Sequence, residues 1–369
     1  MNLKDFIVET KYINYKKIFL LSDTHLGIRA NSLEWLDNIK KFFTNFYIPY
    51  LKRNVQDGDI LFFLGDFFDN RQLIDINVLN AGIDIILEIS KILPVYFITG
   101  NHDIYKKNTT DVNSIVAFKY IPNVTIFEKP VLITNNSSKI LVIPWIGNAE
   151  TEELFVRANK CDYVFTHTDI NGFMYDTGKE VKNTSIDFTK FKSIKRIFSG
   201  HIHKRQEQNN VIYIGSPYHT KRGDIGNTKA LYLFDPSNNT YEVTLNDYSP
   251  IYQRVYLQSL LELSLNDTIK LLNNNYTDII VPDKYIQIFN LTKFIDILNN
   301  CNYKRIETVA ERKKIEEDII NISEGDDIKD ILTLLEKSIN DLGYKSETLE
   351  KLKIINRNYY EKASKEDLE

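Results

Sequence analysis

Short apolar runs alternate with longer mixed stretches over the first 250 residues. A brief run of large apolar side chains that ends in polar residues is typical of a buried strand, as in KKIFLLSD (16–23) and DILFFLGD (59–66). By the same pattern, further strands are predicted at 94–103, 139–145, 162–168, 194–201, 211–217 and 230–235.

Two stretches between these strands have helical spacing instead. Residues 31–51 form the first, and the second covers 76–92. The apolar side of the first helix comprises Leu33, Leu36, Ile39, Phe43 and Phe46. Strand–helix alternation that gives way to many strands predicts an α/β (α+β) fold, with two sheets packed together and helices outside.

The pattern changes after residue 250. RVYLQSL, DIIVPDKY and YKRIETV are predicted strands, and LELSLNDTIKLLNN and NLTKFIDILNN are predicted helices between them. This βαβαβ order predicts a small separate domain over 251–309, after a main domain over 1–250. Charged amphipathic helices dominate 310–369. Such terminal helices either dock on a partner or fold back on their own protein, and the pattern leaves both alternatives open.

Composition narrows the class of protein. Hydrophobic residues make up 43% of the chain, which supplies a packed core and excludes global disorder. Two distant cysteines, Cys161 and Cys301, favour a reducing compartment and argue against a disulfide scaffold. No secretory signal or membrane span is expected, so we predict a cytoplasmic protein. The net charge of −4 argues against autonomous tight binding to nucleic acid.

The histidines occur in short polar motifs that follow the predicted strands. The motifs are SDTHLG, LGDFFD, GNHD, THTD and GHIH, in that order. Each is weak evidence alone, because D-x-H and H-x-H often cap turns and Gly-Asn is a common turn dipeptide. Five in succession, each closing a strand, predict a metal centre whose seven ligands are Asp23, His25, Asp66, Asn101, His167, His201 and His203.

This ligand set exceeds the needs of one tetrahedral zinc ion. It suits a pair of ions that share the Asp66 carboxylate and a bridging water. Imidazole and carboxylate donors are compatible with manganese, iron or zinc. His102 flanks a ligand and is left over, so it is the predicted proton donor to a leaving oxygen.

The order of these motifs over residues 16–235 resembles the calcineurin-like metallophosphoesterase superfamily. The resemblance implies a four-layer β-sandwich flanked by helices. It also implies that Asp23 and His203 hold a first metal with help from His25, and that Asp66 bridges. Asn101, His167 and His201 would hold a second metal, and His102 would assist the leaving group.

Within the superfamily, three features resemble SbcD-type nucleases and phage recombination endonuclease subunits. They are the Gly-Ser-Pro segment VIYIGSPYHTKRGDIGNTKALYLFD, the small α/β domain as a capping domain, and the helical tail. The resemblance implies two manganese ions, 3′–5′ exonuclease and endonuclease activity on DNA in repair and recombination, a coiled-coil SMC-like ATPase partner bound by the tail, and a homodimer that uses 76–92.

Other functions remain open on sequence alone. A phosphomonoesterase or protein phosphatase would use the same ions, whereas a non-catalytic scaffold would normally have lost ligands. Asp69 stands where many family nucleases have histidine, so a substrate role there is in doubt. His219 is either a substrate-side or a structural residue. The cations near the last motifs either form a basic rim or a solvated loop; they are Lys204, Arg205, Lys221 and Arg222.

Overall fold

The computed structural model of the chain describes residues 8–310, except 107–108, 147, 159, 183, 185, 188–190 and 282–300. The described residues all belong to the first of the chain's two compact units, Met1–Glu311. The predicted helical tail and the predicted helix NLTKFIDILNN therefore lie outside the described residues. No helix in the described part is long and apolar enough to cross a membrane.

The secondary structure is dominated by strands. The strands are β1 (Glu9–Tyr12), β2 (Ile18–Leu21), β3 (Ile60–Phe63), β4 (Val95–Ile98), β5 (Ile104–Lys106), β6 (Thr109–Asn113), β7 (Val124–Phe127), β8 (Val131–Thr134), β9 (Lys139–Ile143), β10 (Tyr163–His167), β11 (Arg196–Gly200), β12 (Gln206–Gln208), β13 (Val211–Tyr213), β14 (Ala230–Asp235), β15 (Thr240–Leu245), β16 (Tyr252–Tyr256), β17 (Tyr276–Val281) and β18 (Arg305–Ala310). Every strand predicted before residue 250 contains one of these observed strands.

Helices lie between the strands. The α-helices are α1 (Ile28–Asn31), α2 (Leu33–Lys41), α3 (Ile48–Asn54), α4 (Ile76–Ser90), α5 (Asn148–Ala158), α6 (Leu257–Glu262) and α7 (Leu265–Leu272). A π-helical segment, Phe42–Tyr47, joins α2 to α3, and 3-10 turns lie at Val116–Tyr120 and Arg222–Asp224. The structure thus contains both predicted helices of the main domain, and their polar caps define where they start: the Asp75 carboxylate accepts the Asn77 N–H at 2.8 Å at the start of α4.

Two mixed sheets form the main part of the molecule. The six-stranded sheet has the order β15-β14-β2-β3-β4-β7, and β2, β3, β4 and β7 are parallel. The seven-stranded sheet has the order β1-β8-β9-β10-β11-β13-β12, and β9, β10, β11 and β13 are parallel. Parallel strands buried on both faces explain why their sequences are continuous apolar runs.

The two sheets pack face to face, and alternate side chains of each strand serve different layers. Ile18 and Leu20 of β2 join Phe165 of β10 in the core between the sheets. Their neighbours Phe19 and Leu21 point the other way, into the core beneath α2, α3 and α4. The predicted four-layer sandwich of the metallophosphoesterase type is therefore confirmed.

The outer face of the seven-stranded sheet has its own core. Leu141 and Ile143 of β9 pack there with Leu154 and Phe155 of α5. On the opposite side of the molecule, the predicted apolar face of the first helix is buried at Leu36, Ile39 and Phe43 and partly buried at Phe46, whereas Leu33 is 67% exposed. Leu33 is the first residue of α2, directly after the Ser32 cap, so its side chain projects beyond the packed face.

A small parallel sheet, β16-β17-β18, follows the sandwich. RVYLQSL was predicted as one strand, but the strand ends at Tyr256 and α6 begins at Leu257. Leu257 and Leu260 are spaced three residues apart, so in a helix both reach the core beside Ile279. The division of the chain into main, capping and tail domains stays a prediction.

Candidate metal centre

The side chains predicted as ligands lie at the carboxyl ends of parallel strands in both sheets. Asp23 and His25 follow β2, and Asp66 and Asn101 follow β3 and β4. His167 is the last residue of β10, and His201 and His203 follow β11. Because the carboxyl ends of parallel strands share one edge of a sheet, the two sheets bring these motifs together. Each predicted ligand has a nitrogen or oxygen within 3.9 Å of another member of the set.

One group of donors surrounds His167. Its Nε2 lies 3.2 Å from Asp66 Oδ2 and 3.0 Å from Asn101 Oδ1. His201 Nδ1 lies 2.8 Å from the same Asn101 oxygen. The other nitrogen of His167, Nδ1, donates to the Leu64 carbonyl oxygen at 2.6 Å, which leaves the Nε2 lone pair for a cation. We call Asp66, Asn101, His167 and His201 the second group.

The other group consists of Asp23, His25 and His203, and we call it the first group. His25 Nε2 lies 2.9 Å from His203 Nε2, and His203 Nε2 lies 3.9 Å from Asp23 Oδ1. His25 Nε2 is also 3.8 Å from Asp66 Oδ2, which places the Asp66 carboxylate between the two groups. Asp66 thus lies where the sequence predicts a bridging ligand.

His102 lies beside both groups. Its backbone N–H donates to Asp66 Oδ1 at 2.7 Å, and its Nδ1 lies 2.6 Å from the Asp69 carbonyl oxygen. Its ring stands edge-on to His25, with 4.8 Å between the ring centroids. With Nδ1–H donated to a carbonyl, the Nε2 nitrogen has no hydrogen-bond partner among the described residues.

The backbone at the ligand positions is strained. Asp23, His25, Asp66 and His201 have φ values of 52°, 44°, 55° and 85°, in the left-handed region that side chains other than glycine rarely occupy. Such conformations cost roughly 1–3 kcal/mol each and persist where the surroundings hold them. Here, the Asp23 N–H donates to the Gly65 carbonyl oxygen and the His25 N–H to the Asp66 carbonyl oxygen. Strain at these positions marks a functional site.

Two glycines permit this close approach of the loops. A Cβ on Gly100 would lie 2.2 Å from Asp66 Oδ1, and a Cβ on Gly200 would lie 2.1 Å from Ser22 Oγ. Both distances are shorter than any real contact, and the loops on either side are those that present the ligands. The donors can converge because these two positions lack side chains.

Electrostatics favour a positive charge between the groups. Burial raises the pKa of Asp66, but the charge of His167 outweighs it and holds the pKa below its usual value. Burial lowers the pKa of His167, but the Asp66 carboxylate raises it to about 9. Burial raises the pKa of Asp23. A proton on His167 therefore occupies a position that suits a cation, and metal binding would displace it.

The donor set fits divalent cations. Asp23 is fully buried, and its Oδ2 has no hydrogen-bond partner among the described residues. A buried carboxylate oxygen without a partner costs several kcal/mol of desolvation unless a cation or proton satisfies it. Carboxylate, amide and imidazole donors are ligands of manganese, iron and zinc. The residues present therefore fit a metal pair.

Sequence reasoning missed three carboxylates that support the centre. Asp103 accepts the backbone N–H groups of Asp66, Phe67 and Gly100 at 2.8, 3.0 and 2.9 Å, so it fixes the loop that carries Asp66. Asp169 lies 3.1 Å from His201 Nε2, and Asp176 lies 3.7 Å from His203 Nδ1. The signal was present for two of them, because Asp103 and Asp169 end the motifs GNHD and THTD.

The residues left open by the sequence have defined contacts. Asp69 Oδ1 lies 3.1 Å from His25 Nδ1, so Asp69 orients a predicted ligand. His219 is 8% exposed; its Nε2 donates to the Asn227 carbonyl oxygen and its Nδ1 accepts the Tyr252 N–H, at 3.0 and 3.1 Å. This geometry favours the structural alternative for His219.

The predicted basic rim is mostly paired. Lys221 lies 2.8 Å from Asp176, Arg222 binds Asp278, and Arg205 donates to Thr228. Lys204 is exposed. These cations therefore do not form a uniform basic surface.

The model of the calcineurin-like phosphoesterase family matches residues 16–205, which is the segment that supplies every donor described above. The chain belongs to this family. It is thus a metal-dependent phosphoester hydrolase, and its fold implies divalent metal ions, for which the donors described above are the candidate ligands. The match covers half of the chain and ends just after the GHIH motif.

Individual relatives extend this likeness. Exonuclease subunit 1 of Enterobacteria phage T4 is 28% identical over 336 residues, which are 88% of this chain and 92% of the phage protein. Among solved structures, an archaeal phosphodiesterase covers 62% of this chain and 99% of its own, with 17% identity and a TM-score of 0.33. The similarity to the phage exonuclease subunit therefore continues through the sandwich and beyond it.

Proposed function

We propose that this phosphoesterase is a dinuclear-metal DNA nuclease, with 3′–5′ exonuclease activity on duplex ends and endonuclease activity. The similarity to a phage exonuclease subunit over 88% of the chain carries this proposal, because it includes the residues beyond the family match. The converging donors supply the chemistry. A role in double-strand-break repair and recombination belongs to the same proposal.

In this proposal, Asp23, His25 and His203 hold one ion, Asn101, His167 and His201 hold the other, and Asp66 bridges. Manganese is the proposed metal. The two ions would lower the pKa of a bound water and screen the charge on the phosphate. Asp103, Asp69 and Asp169 keep the ligands oriented through the contacts described above.

His102 is the proposed proton donor to the leaving oxygen. Its Nδ1 is held by the Asp69 carbonyl oxygen, so a proton on Nε2 faces the substrate side of the centre. Its backbone N–H holds the Asp66 carboxylate, so the loop that donates the proton also fixes the bridging ligand. The position of His102 therefore couples substrate protonation to the metal ligands.

The decisive experiment measures cleavage of end-labelled duplex DNA with manganese by wild type, Asp66→Asn and His102→Ala. Asp57→Asn, at an exposed position, is the matched control. We expect shortening from the 3′ ends by wild type and control only. Retained cleavage in both active-site variants would refute the mechanism. Hydrolysis of a phosphomonoester by wild type, without cleavage of DNA, would indicate the alternative, a phosphomonoesterase or protein phosphatase.

A coiled-coil SMC-like ATPase is the proposed partner, bound through the helices predicted after residue 310. The name of the phage relative, a subunit, supports an assembly. A chain ending near Thr308, at Ala310 so that β18 stays whole, should keep its metals and lose the ATPase. Co-purification of the shortened chain with the ATPase would contradict this assignment.

We also propose a homodimer that uses α4. A groove of about 340 Å³ lies between α2 and α4, and Leu33 at its edge is 67% exposed. Near the start of α4, Leu73 and Ile76 are 73% and 64% exposed. Large apolar side chains exposed together favour an interface. Light scattering of Leu73→Lys/Ile76→Lys should show a monomer if this surface joins two copies.

A further inference from the structure

A charged cleft lies between the sandwich and the small sheet β16-β17-β18. It encloses about 310 Å³, and its charged lining comprises four cationic and two anionic side chains: Arg29, Lys221, Arg222, Arg305, Asp278 and Glu307. In a chain with a net charge of −4, this excess of positive charge is local. The cleft lies outside the donor set of the metal centre.

Two of these cations are neutralised by the small sheet. Arg222 Nε donates to both carboxylate oxygens of Asp278 at 3.0 and 3.1 Å, and its Nη2 pairs with Glu307. Arg305 also pairs with Glu307. The Arg222 pairs hold the small sheet against the sandwich, and the Arg305–Glu307 pair lies within β18. Neither arginine is therefore available as a free positive charge.

Arg29 is held differently. Its Nη2 donates to two neutral oxygens, the Thr220 carbonyl at 3.3 Å and the Tyr252 hydroxyl at 3.4 Å. Its guanidinium lies 5.8 Å from the Trp35 ring centroid. Long hydrogen bonds to neutral acceptors are weaker than charge-assisted ones, so an anionic oxygen would displace them. Among the described residues, Arg29 forms no ion pair.

The backbone that carries Arg29 is strained. Arg29, Ala30 and Asn31 have φ values of 59°, 53° and 61°, a left-handed turn in three residues that are not glycine. Side chains other than glycine rarely occupy this region, so the surrounding contacts must hold the turn. This turn begins four residues after His25 of the first group, and its Arg29 side chain contacts Thr220 and Tyr252 at the cleft.

A chain of side-chain contacts joins the cleft to the metal centre. Lys221 Nζ lies 2.8 Å from Asp176 Oδ2, and the same oxygen lies 3.7 Å from His203 Nδ1. The wall of the cleft is thus one carboxylate away from a predicted metal ligand. If the scissile phosphate of a polynucleotide lies at the metals, the neighbouring phosphates of the same strand must lie against a surface beside the metal centre.

We propose that this cleft is a second phosphate subsite, in which Arg29 binds a phosphodiester next to the scissile one on the same strand. The subsite rests on the proposed nuclease function and makes it more specific: the centre acts on polynucleotides in preference to small esters with a single phosphate. Arg29 provides a forked, always charged donor to the non-bridging oxygens. Lys221 is paired with Asp176, so Arg29 is the cation of this cleft that has no ion-pair partner among the described residues.

The test uses the full-length protein with manganese and compares Arg29→Gln with Arg53→Gln. Gln keeps an unbranched side chain in the left-handed turn, and Arg53 is exposed at the end of α3, away from the cleft. Two substrates are compared: a single-stranded oligothymidylate and bis(p-nitrophenyl) phosphate, which has one phosphate only. Arg29→Gln should lose roughly tenfold more kcat/KM on the oligonucleotide than on the small diester, mainly through KM.

Binding is measured separately from cleavage, in a His102→Ala background, which lacks the proposed proton donor and keeps every proposed metal ligand. The slope of log Kd for oligothymidylate against log salt concentration should fall by about 0.7 in Arg29→Gln, the contribution of one phosphate contact to a single strand. Arg53→Gln should leave the slope at its parent value. An unchanged slope in Arg29→Gln, or equal losses on both substrates, would overturn the subsite while leaving the nuclease proposal intact.

Failure of the nuclease proposal looks different. In that case, wild type would hydrolyse the small diester and leave both the oligonucleotide and end-labelled duplex DNA whole. The salt slope would still decide about Arg29, because it does not depend on cleavage: a fall supports a phosphate subsite, and an unchanged slope refutes it.

Discussion

In the second group of ligands, the nitrogens that face away from the centre have acceptors of their own. His167 Nδ1 donates to the Leu64 carbonyl oxygen, and His201 Nε2 lies 3.1 Å from Asp169. In the first group, Asp69 supports His25, but the Nδ1 of His203 and the Oδ2 of Asp23 have no hydrogen-bond partner within the described part of the chain. The two groups share an edge and a bridging carboxylate, yet only one of them is fully supported.

This difference teaches how much each group depends on its ion. The second group holds its imidazoles in the ligating orientation before any metal arrives, so binding there costs little ordering. The first group contains two buried polar atoms that a cation or proton must satisfy. We therefore expect two-step metal binding, with the second group filled at the lower concentration.

The largest expected effect comes from removing a shared ligand. Asp66→Asn should reduce the metal content from about two ions per chain to fewer than one, because both groups lose the same carboxylate. Asp23→Asn should lose only the first-group ion and keep about one. Metal analysis after gel filtration measures both. Equal loss in the two variants would mean that the groups do not act separately.

Lys229→Met tests whether the buried Lys229 stabilises the segment that carries His203 of the first group. Lys229 is buried, and its Nζ contacts the His203 carbonyl oxygen at 2.9 Å and Asp224 at 2.5 Å. Removing one partner of a buried ion pair leaves the other uncompensated, so we expect unfolding free energy to fall by about 3 kcal/mol.

Urea unfolding provides that measurement. Lys229→Met/Asp224→Asn, which removes both charges, should recover part of the loss. A fall smaller than about 1 kcal/mol in the single variant would contradict the importance of this pair.

Replacing the carboxylates that orient the histidines should have a smaller effect on metal binding, and this effect should differ between the two groups. Asp169→Asn should weaken the tighter metal-binding step by about 10–100-fold, because a neutral amide replaces the carboxylate beside His201 Nε2. Asp69→Asn should weaken the other step instead, through His25. Calorimetric titration with manganese resolves the two steps. If both variants weaken the same step, the assignment of the ligands to two groups is wrong.

The smallest effect concerns the joint between the sandwich and the small sheet. Burial lowers the pKa of His219 to about 4, below the ordinary value of 6.5. A depressed pKa in the folded state stabilises the protein above pH 6.5, and this stability is lost as the pH falls from 6.5 towards 4. The loss between pH 7 and pH 5 should be about 2 kcal/mol.

His219→Gln should flatten this part of the curve of unfolding free energy against pH. Urea unfolding of the two proteins at several pH values measures it. A parallel pair of curves would show that His219 does not carry the acid sensitivity.

The sequence predicted the strands of the sandwich well, and the candidate donors that the structure brings together could be proposed for local reasons. Buried parallel strands are continuous apolar runs, and ligands such as Asp23 and His25 sit in short motifs directly after them. The support of the donors was harder to predict, because it depends on contacts between distant segments. Asp169 meets His201 across 32 positions of sequence, and no periodicity marks such a pair.

The predicted end of β16 was wrong for a related reason. RVYLQSL has the composition of a strand, but the packing of Leu257 and Leu260 against β17 selects a helix from Leu257 onwards. Tertiary contacts overrode local propensity there. The left-handed turn at Arg29 could not be predicted either, because no residue in the segment IRAN requires a positive φ value.

The donor cluster could be built into another protein only if Gly100 and Gly200 were transferred with it. A protein engineer who moved only the histidines, aspartates and asparagine into another β-sandwich would copy the donors without the room that lets them meet. Glycine must also be kept at these two positions, because every other residue type would place a Cβ where the donor loops approach each other. A saturation library of this chain should therefore be as intolerant at these two positions as at the donors themselves.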